Sequence, residues 1–443
     1  MRIRLMNEID KFARNLLDTE AVTSFSRRGF LKTSATVATG MLYGCGTGAN
    51  DGIKQGTSQV RLAPPTGVED EAWGDIRAQF LLDPGIAYMN NASLGMPPSQ
   101  IVASVHAGYE AISREPLHGK HALQTSITER VLPGLATLFG VTSGEISLTR
   151  NATEALHLQS VGLDLAPGDE VLVTTQEHPA GIRPWMLREA REGIRITEVF
   201  IPSPFQTDME VVGLMESAIT DRTKAISFCH VTRGGHLYPV KKLVSMAHER
   251  GLTCLVDGAQ AVGQFPIDLV DLGCDAYSAS LHKWLLGPAG TGFLYIREGA
   301  SNRIKTAFAP DATPDAPAFD PPGTADFPLR AALMTMLDFV NAIGLERIDE
   351  RCRYLSNYLK NQLSELAPVT ILSGPPETSC PGSTIFEFSG LDAIAAVPMM
   401  EQRGRVHIDE HQRDGHNAIR VSTHFYNTRA EIDRLVDALR SVA

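Results

Sequence analysis

Short apolar runs and amphipathic stretches alternate along the middle of this chain. Runs rich in Val, Ile, Leu and Phe occur at residues 146–149, 170–175, 194–200, 224–230, 252–256 and 292–296. Before and between these runs, apolar residues recur with the period of a helix, at 102–112, 152–161 and 240–250. Because repeated strand–helix units bury a sheet between two helical layers, the pattern predicts an α/β fold with a mostly parallel sheet.

The C-terminal part of the chain has a different pattern. Residues 311–322 are rich in Pro, Ala and Asp, which is typical of a loop between domains. One long helix is predicted at 329–363, followed by two short strands and a final helix at 429–442. The predicted organisation is a signal segment at 1–45, a linker at 46–70, a large domain with an N-terminal arm at 71–325, and a small α+β domain at 326–443.

The N-terminal residues resemble an export signal. The segment Ser-Arg-Arg-Gly-Phe-Leu-Lys at 26–32 matches the twin-arginine signal, and a short apolar stretch follows it. Leu-Tyr-Gly-Cys at 42–45 resembles a lipobox, which predicts a lipid anchor on Cys45, although Tyr43 is larger than the residue expected there. Two alternatives are ordinary cleavage near Thr47-Gly48-Ala49 and a cytoplasmic helix with an incidental arginine pair. The predicted location is the periplasm or cell envelope, reached through the twin-arginine export machinery.

Composition narrows the function classes. The chain has 443 residues and a formal net charge of -11, which argues against nucleic acid because phosphate binding needs clustered Lys and Arg. No apolar run reaches the roughly 18–20 residues that span a bilayer, so membrane contact is predicted only through a lipid on Cys45. None of the six cysteines forms a C-x-x-C pair. We therefore predict no metal site.

A lysine and an aspartate carry the first chemical signal. Lys283 follows a strand and precedes the glycine-rich turn 287–292, where an amine can form an imine with an aldehyde cofactor. Asp257 ends a buried apolar strand, a costly position for a carboxylate unless a cation meets it. A protonated pyridine nitrogen is such a cation, and Gln260 stands close enough to contact a ring hydroxyl. Taken singly, Lys283 also fits a surface lysine and Asp257 a helix cap.

Two further segments follow strands. Arg-Asn-Ala-Thr-Glu-Ala at 150–155 begins a helix, whose N–H groups and Thr153 hydroxyl form an anion site for phosphate. This is not a G-x-x-x-x-G-K-[ST] loop, which disfavours a nucleotide. His178 follows the next strand and has a ring that can stack on an aromatic cofactor and carry protons. A capped helix and a structural histidine are the alternatives.

A phosphate site, a stacking histidine, a carboxylate and a lysine thus occur in chain order. This pattern resembles the class V aminotransferase family, the fold-type I enzymes that include cysteine desulfurases and isopenicillin N epimerase, over roughly residues 80–440. The most specific matches are Val-Asp-Gly-Ala-Gln-Ala at 256–261 and Ser-x-His-Lys-Trp at 280–284. The resemblance implies a fold-type I large domain with a smaller α+β domain, a pyridoxal 5'-phosphate cofactor and a homodimer.

The resemblance also implies roles for single residues. Lys283 is implied to be catalytic and to bind the cofactor covalently, with His178 catalytic and stacked on the ring. Asp257 is implied to pair with the ring nitrogen and Gln260 to contact the hydroxyl. The residues implied to hold the phosphate are Ala152, Thr153, Ser280, His282 and, from a neighbouring subunit, Thr324. Those implied to contact substrate are Arg420, through its α-carboxylate, and Asn91, at the mouth of the site.

Two departures from the desulfurase pattern matter. Arg233 stands where desulfurases carry an asparagine near the ring, and it suits either an acidic substrate or a structural ion pair. The segment 407–417 has no cysteine, where desulfurases place the thiol that accepts sulfur. Without a thiolate nucleophile, persulfide chemistry has no acceptor. The sequence therefore disfavours a desulfurase.

The predicted function is that of a pyridoxal-phosphate-dependent enzyme. It is expected to act on the amino group or α-carbon of an amino acid or amino-acid-derived metabolite after export. The same residues serve transamination and epimerisation, so an epimerase or racemase like isopenicillin N epimerase is the main alternative. A cysteine desulfurase or lyase and a non-catalytic binding lipoprotein are less expected.

Overall fold

A sheet of seven strands lies at the centre of the chain. The computed structural model describes residues 63–306 and 323–442, together with residues 308 and 319, and these residues belong to one unit spanning 60–443. The predicted signal segment, Cys45 and most of the linker lie outside the described residues. The strands are β1 (Ala87–Tyr88), β2 (Ile146–Thr149), β3 (Glu170–Thr174), β4 (Arg195–Val199), β5 (Thr223–Cys229), β6 (Thr253–Asp257), β7 (Ala276–Ser280), β8 (Gly292–Ile296), β9 (Val369–Ile371), β10 (Ser383–Phe388), β11 (Val406–His407), β12 (Asp409–Arg413) and β13 (His416–Ser422).

Helices cover this sheet and the C-terminal strands. Apart from short 3-10 turns and a π-helical turn at Ile127–Val131, they are α1 (Gly74–Arg77), α2 (Ser99–Arg114), α3 (Pro116–Ser126), α4 (Leu132–Phe139), α5 (Ala152–Gly162), α6 (Pro179–Glu192), α7 (Asp208–Ser217), α8 (Val240–Glu249), α9 (Leu269–Leu272), α10 (Phe327–Ile343), α11 (Leu345–Ser364), α12 (Ala393–Gly404) and α13 (Arg429–Arg440).

The central sheet has the order β2-β8-β7-β6-β5-β3-β4. The pairs from β7 to β4 are parallel, whereas β8 runs antiparallel to both β7 and β2. Strands β3, β6, β7 and β8 are buried at every position, as expected for apolar strands covered by helices on both faces. The prediction of a mostly parallel sheet in an α/β fold is confirmed.

Parallel strands bring their carboxyl ends to one edge of the sheet. Asp257 ends β6 and Ser280 ends β7, while His178 and Arg233 follow β3 and β5. Ligands of such sheets bind at this edge, because loops there can present side chains and backbone N–H groups together. The residues of the candidate site that come from the central sheet therefore share this edge.

The C-terminal strands form a second sheet with the order β12-β13-β10-β9, in which all pairs are antiparallel. Its apolar side packs with α11, α12 and α13 in a separate cluster that includes Leu359, Phe386 and Leu435. Strand β1 pairs in parallel with β11, so an early segment of the chain lies against this C-terminal part. The proposed boundary between residues 325 and 326 stays a prediction.

Two expectations for the C-terminal part are wrong. The single helix predicted at 329–363 is two helices, α10 and α11, bent by 72° at Gly344, whose φ of 92° favours glycine. Among the described residues, no single helix has the length and hydropathy of a membrane span, and only this bent pair reaches that threshold jointly. Five strands, β9 to β13, replace the predicted two; β12, with the sequence Asp-Glu-His-Gln-Arg, has no apolar residue to mark it.

Candidate active site

Lys283 lies just beyond β7, against the loop that follows β1. The Gly95 N–H donates to the His282 carbonyl at 2.8 Å, and a Cβ on Gly95 would stand 1.9 Å from the Lys283 carbonyl oxygen. Only glycine allows this approach. Burial lowers the pKa of the Lys283 amine to about 8; Asp257 opposes this shift, whereas the Arg420 charge adds to it. A fraction of the amine is therefore uncharged, and so nucleophilic, near neutral pH.

Asp257 is a buried carboxylate that lacks an ion pair. Its Oδ1 accepts from the Ala259 N–H at 2.9 Å, and burial raises the pKa of the carboxyl above its ordinary range. Among the described residues, no Lys, Arg or His forms a salt bridge with it. The Lys283 charge acts on this carboxylate only from beyond ion-pair distance, so its burial stays costly and the position fits a ligand that supplies a positive nitrogen. The protonated pyridine ring of pyridoxal phosphate meets this requirement.

The residues predicted to hold a phosphate surround the start of α5. Asn151 caps this helix by accepting from the Glu154 N–H at 2.9 Å, and the Ala152 N–H donates to Ser280 Oγ at 2.9 Å. Thr153 is exposed at the first turn. His282 Nδ1 bonds the Thr291 carbonyl at 3.0 Å, next to Lys283. The helix start, with its N–H groups and positive dipole end, thus lies beside the loop that carries the lysine, which fits the phosphate of the cofactor.

His178 is the N-cap residue of α6 and is partly open to solvent. Its Nδ1 accepts from the Ala180 N–H at 3.1 Å, which leaves the proton of the neutral ring on Nε2. Desolvation lowers the pKa of the ring to about 4, with further lowering by Lys283, Arg233, Arg413 and Arg183 in that order. His178 is therefore uncharged near neutral pH, as a ring that stacks on a cofactor should be.

Gln260 lies in a chain of hydrogen bonds around the lysine loop. Its Oε1 accepts from Trp284 Nε1 at 2.8 Å, and its Nε2 donates to the Ala92 carbonyl at 3.0 Å. One N–H of the amide remains for the predicted ring hydroxyl. On the other side, His424 Nε2 bonds the Trp284 carbonyl at 2.8 Å, because its Nδ1 is already the acceptor of the Phe425 N–H. The residue after Lys283 is thus held at both its side chain and its backbone.

Arg420 is buried in β13 and is already paired. Its Nη2 contacts the carboxylate of Asp409, which lies directly across the strand pair, and bonds Asn90 Oδ1 at 3.4 Å. Burial lowers the pKa of the Arg420 guanidinium, and Asp409 opposes that shift. Among the described residues, its Nε is buried without a hydrogen-bond partner. A free N–H on a buried guanidinium suits a substrate carboxylate, which accepts in a fork.

The sequence left two interpretations of Arg233 open. In the structure its Nη2 bonds Glu410 Oε1 at 2.6 Å and lies 3.5 Å from Asp409 Oδ2. Asp409 therefore stands between Arg233 and Arg420, and Arg233 is engaged by structural acids. A direct contact of Arg233 with substrate stays a prediction.

Asn91 and Thr324 differ in their surroundings. Asn91 is buried, and its Oδ1 accepts from Tyr426 Oη at 2.8 Å, while its Nδ2 has no partner among the described residues. Thr324 is exposed just before α10, and within the described part of the chain no hydrogen bond or ion pair joins it to the other predicted residues. The predicted contact of Thr324 with a neighbouring subunit stays a prediction.

Four residues of this region were not found from the sequence: Asp409, Glu410, Arg413 and His424. The first three lie on β12, which was not predicted as a strand, so nothing indicated that its acids would face Arg233 and Arg420. The dense run of charges at 409–414 was the available signal. His424 stood in a block already assigned to substrate binding, and no local pattern indicates that its ring reaches Trp284.

The fold and this arrangement define a fold-type I pyridoxal-phosphate-dependent enzyme. The same fold occurs in a C-DES variant with glycine covalently linked to its PLP cofactor, which superposes with a TM-score of 0.76 at 24% identity and covers 82% of this chain and 98% of that one. The aminotransferase class-V profile matches residues 87–435, and the chain belongs to this family.

Two curated relatives illustrate the range of reactions in the family. The isopenicillin N epimerase of Amycolatopsis lactamdurans is 30% identical over 405 residues, which cover 84% of this chain and 99% of the relative. The cysteine desulfurase of Haloferax volcanii is 28% identical over 382 residues, which cover 80% and 88% of the two chains. The cofactor is therefore pyridoxal phosphate, while the relatives differ in the reaction that their names state.

Proposed function

We propose that this protein acts at the amino group or α-carbon of an amino acid or amino-acid-derived metabolite, as a transaminase or related amino-group enzyme. The observation that carries the proposal is the pair formed by Lys283, an amine with a pKa lowered to about 8, and Asp257, a buried carboxylate without an ion pair among the described residues. An amine and a carboxyl that lie close together and both have shifted pKa values are typical of catalytic sites.

The side chains have separate tasks. When bound, pyridoxal phosphate supplies an aldehyde for the substrate amine and a ring that withdraws electrons from the α-carbon. Asp257 would hold a proton on the ring nitrogen, and His178 would stack on the ring. Lys283 Nζ, an amine with a lowered pKa, would be the base that takes the α-proton of the substrate. The guanidinium of Arg420 orients the substrate through its carboxylate.

Epimerisation is the second candidate. It is favoured by the similarity to isopenicillin N epimerases and by His-Phe-Tyr-Asn-Thr at 424–428, which continues the strand of Arg420 in a form that resembles the epimerases. It requires that a proton return to the face of the α-carbon opposite the one from which it left. His178, with a pKa of about 4, holds no second proton to donate at neutral pH. This favours the amino-group reaction.

A desulfurase is disfavoured on further grounds. Segment 409–422 forms the hairpin β12–β13, and no thiol lies on it. All cysteines of the described residues are buried, and the pKa values of Cys229, Cys254, Cys274 and Cys352 are raised by that burial. Buried thiols with raised pKa values are poor nucleophiles for sulfur transfer.

The decisive experiment is spectroscopic. The purified protein should show a cofactor absorbance that borohydride removes, and peptide mass mapping should place the reduced cofactor on Lys283. A panel of amino acids is then added: conversion of the cofactor to its amine form indicates transamination, whereas α-hydrogen exchange with inversion indicates epimerisation. A Lys283→Ala protein that keeps full biological function, or a protein that cannot be loaded with the cofactor, would support a binding lipoprotein instead.

Export, lipid attachment and dimerisation are proposals that rest on the sequence. Replacing Arg27 and Arg28 with lysine should leave the protein in the cytoplasm, and Cys45→Ala should abolish any lipid-dependent mass increase. Sedimentation of the loaded protein tests the homodimer. A periplasmic protein after both arginine substitutions would refute the export proposal.

A further inference from the structure

The hairpin β12–β13 places a second positive group beside the candidate active site. Asp409, His411 and Arg413 alternate along β12, so they project from the same face of the strand. Asp409 contacts Arg420, and His411 is buried against residue Gly234, where a Cβ would stand 3.3 Å from its Nε2. Arg413 is therefore the last member of a row that begins at Asp409, the residue that contacts Arg420.

The tip of this hairpin is fixed to the loop that carries His178. Arg413 Nη1 donates to the Glu177 backbone carbonyl at 2.9 Å, and Asp414 accepts from Gln176 Nε2. Gln176 is anchored in turn by the Ile201 carbonyl at 3.0 Å. These contacts hold the guanidinium next to His178, and the Arg413 charge is one of those that lower the pKa of that ring.

Among the described residues, Arg413 has no carboxylate within ion-pair distance. Arg233 is bound by Glu410, and Arg420 is bound by Asp409. Of these three guanidinium groups, Arg413 is the one that forms no ion pair within the described part of the chain.

Two acids neighbour Arg413, but among the described residues neither forms an ion pair with it. The Asp414 side chain accepts a bond from Gln176 instead. Burial, with a smaller contribution from Asp257, raises the pKa of Glu177 to about 8, so this carboxyl is mostly uncharged at neutral pH. The Arg413 side chain is partly exposed, and its one polar contact among the described residues is to a backbone carbonyl. The other N–H groups of its fork are available to an incoming anion.

We propose that Arg413 binds a second carboxylate of the substrate, so that the enzyme selects amino acids with an acidic group at the far end. This inference rests on the proposed function and adds a substrate class to it. Arg413 lies four residues from Asp409 along a strand, so their backbones are about 13 Å apart at roughly 3.3 Å per residue. The long side chains of Arg420 and Arg413 must therefore reach toward each other to hold the two carboxylates of one substrate. Arg420 takes the α-carboxylate, and Arg413 takes the distal one.

The test compares ligands matched in shape that differ only in the distal charge. Binding of aspartate, glutamate and 2-aminoadipate to the loaded enzyme is followed by absorbance, each against its own side-chain amide (asparagine, glutamine and the 6-amide of 2-aminoadipate). Amine-free succinate, glutarate and adipate are compared with their monoamides by thermal shift. The wild type should prefer the diacids, and Arg413→Gln should lower that preference about 10-fold or more, the scale of a lost charged hydrogen bond.

The controls separate charge from position. Arg413→Lys keeps the charge but loses the fork, and it should retain part of the preference. Arg403→Gln makes the same charge change at an exposed arginine that bonds Ser441, and it should leave the preference unchanged. If the wild type and the Arg413→Gln protein prefer diacids over monoamides to the same degree, this inference is overturned. It is also overturned if the wild type shows no such preference. A wild type that prefers the diacids but reacts with no amine overturns the proposed function alone.

Discussion

Asp409 is the residue whose replacement should change substrate binding most informatively. It contacts Arg420, which is 4% exposed, and lies 3.5 Å from Arg233. In Asp409→Asn, the buried Arg420 loses its countercharge, and the substrate carboxylate no longer meets a negative neighbour. We therefore expect two opposite effects: a less stable free protein and tighter binding of carboxylate ligands.

The structure sets the magnitude of both effects. Removing one partner of a buried ion pair costs about 3–5 kcal/mol. The Asp409 side chain is 26% exposed, and solvent offsets part of this cost, so we expect a loss of about 2 kcal/mol. A ligand carboxylate that replaces the missing charge should recover most of it. This corresponds to binding that is about 10- to 30-fold tighter.

Chemical denaturation without ligand measures the first effect, and titration with acetate or a monocarboxylic amino acid measures the second. Asp83→Asn is the matched control, because Asp83 pairs with Arg405 at the surface, where both side chains are more than half exposed. That change should leave both the free energy of unfolding and ligand binding close to their wild-type values. An Asp409→Asn protein as stable as the wild type, or one that binds carboxylates more weakly, would refute the reasoning.

Three further predictions concern the lysine loop. In the apoprotein, the pKa of Lys283 is lowered from 10.5 to about 8. Between these two pH values the unfolded chain binds more protons than the folded one, so the free energy of unfolding should rise with pH. Lys283→Met should remove that rise in denaturation curves. Asp257→Asn should weaken cofactor retention, measured by dialysis, and Asp257→Glu should restore it in part. His424→Leu leaves the Trp284 carbonyl without its donor, which should lower the free energy of unfolding by about 1–3 kcal/mol and speed cofactor loss. His424→Gln keeps an N–H near the same place and should have neither effect. Equal behaviour of the two variants would contradict this role.

The parts of the fold that could be predicted are those with a strong apolar pattern. Strands β2 and β8 have the predicted bounds, and β6 differs from its prediction by one residue at each end. These strands are buried at every position, and most of their residues are apolar, so the runs stand out in the sequence. Asp257 stood out for the same reason, because it is a charged residue at the end of such a run, whereas Lys283 was identified by the glycine-rich turn that follows it.

The features that could not be predicted depend mainly on contacts between segments that are far apart in the sequence. Strand β12 is polar throughout because its edge position and its ion pairs replace an apolar face, so periodicity carries no signal there. The break at Gly344 was missed because one glycine within an amphipathic stretch is also compatible with a continuous helix. The pairing of Arg233 with Glu410 joins residues that are far apart in the sequence, and no local pattern indicates it.

The pairing of β1 with β11 has a consequence for how the molecule is made. Ala87 and Tyr88 leave the ribosome early, but their partners Val406 and His407 emerge only near the end of translation. Loops that close over such a long span form late, because the entropy of closure must be overcome first. The segment after β1 carries Gly95, which rests on the Lys283 carbonyl. Completion of the lysine loop therefore cannot precede the synthesis of residue 406, and a nascent chain stalled before that residue should not retain the cofactor.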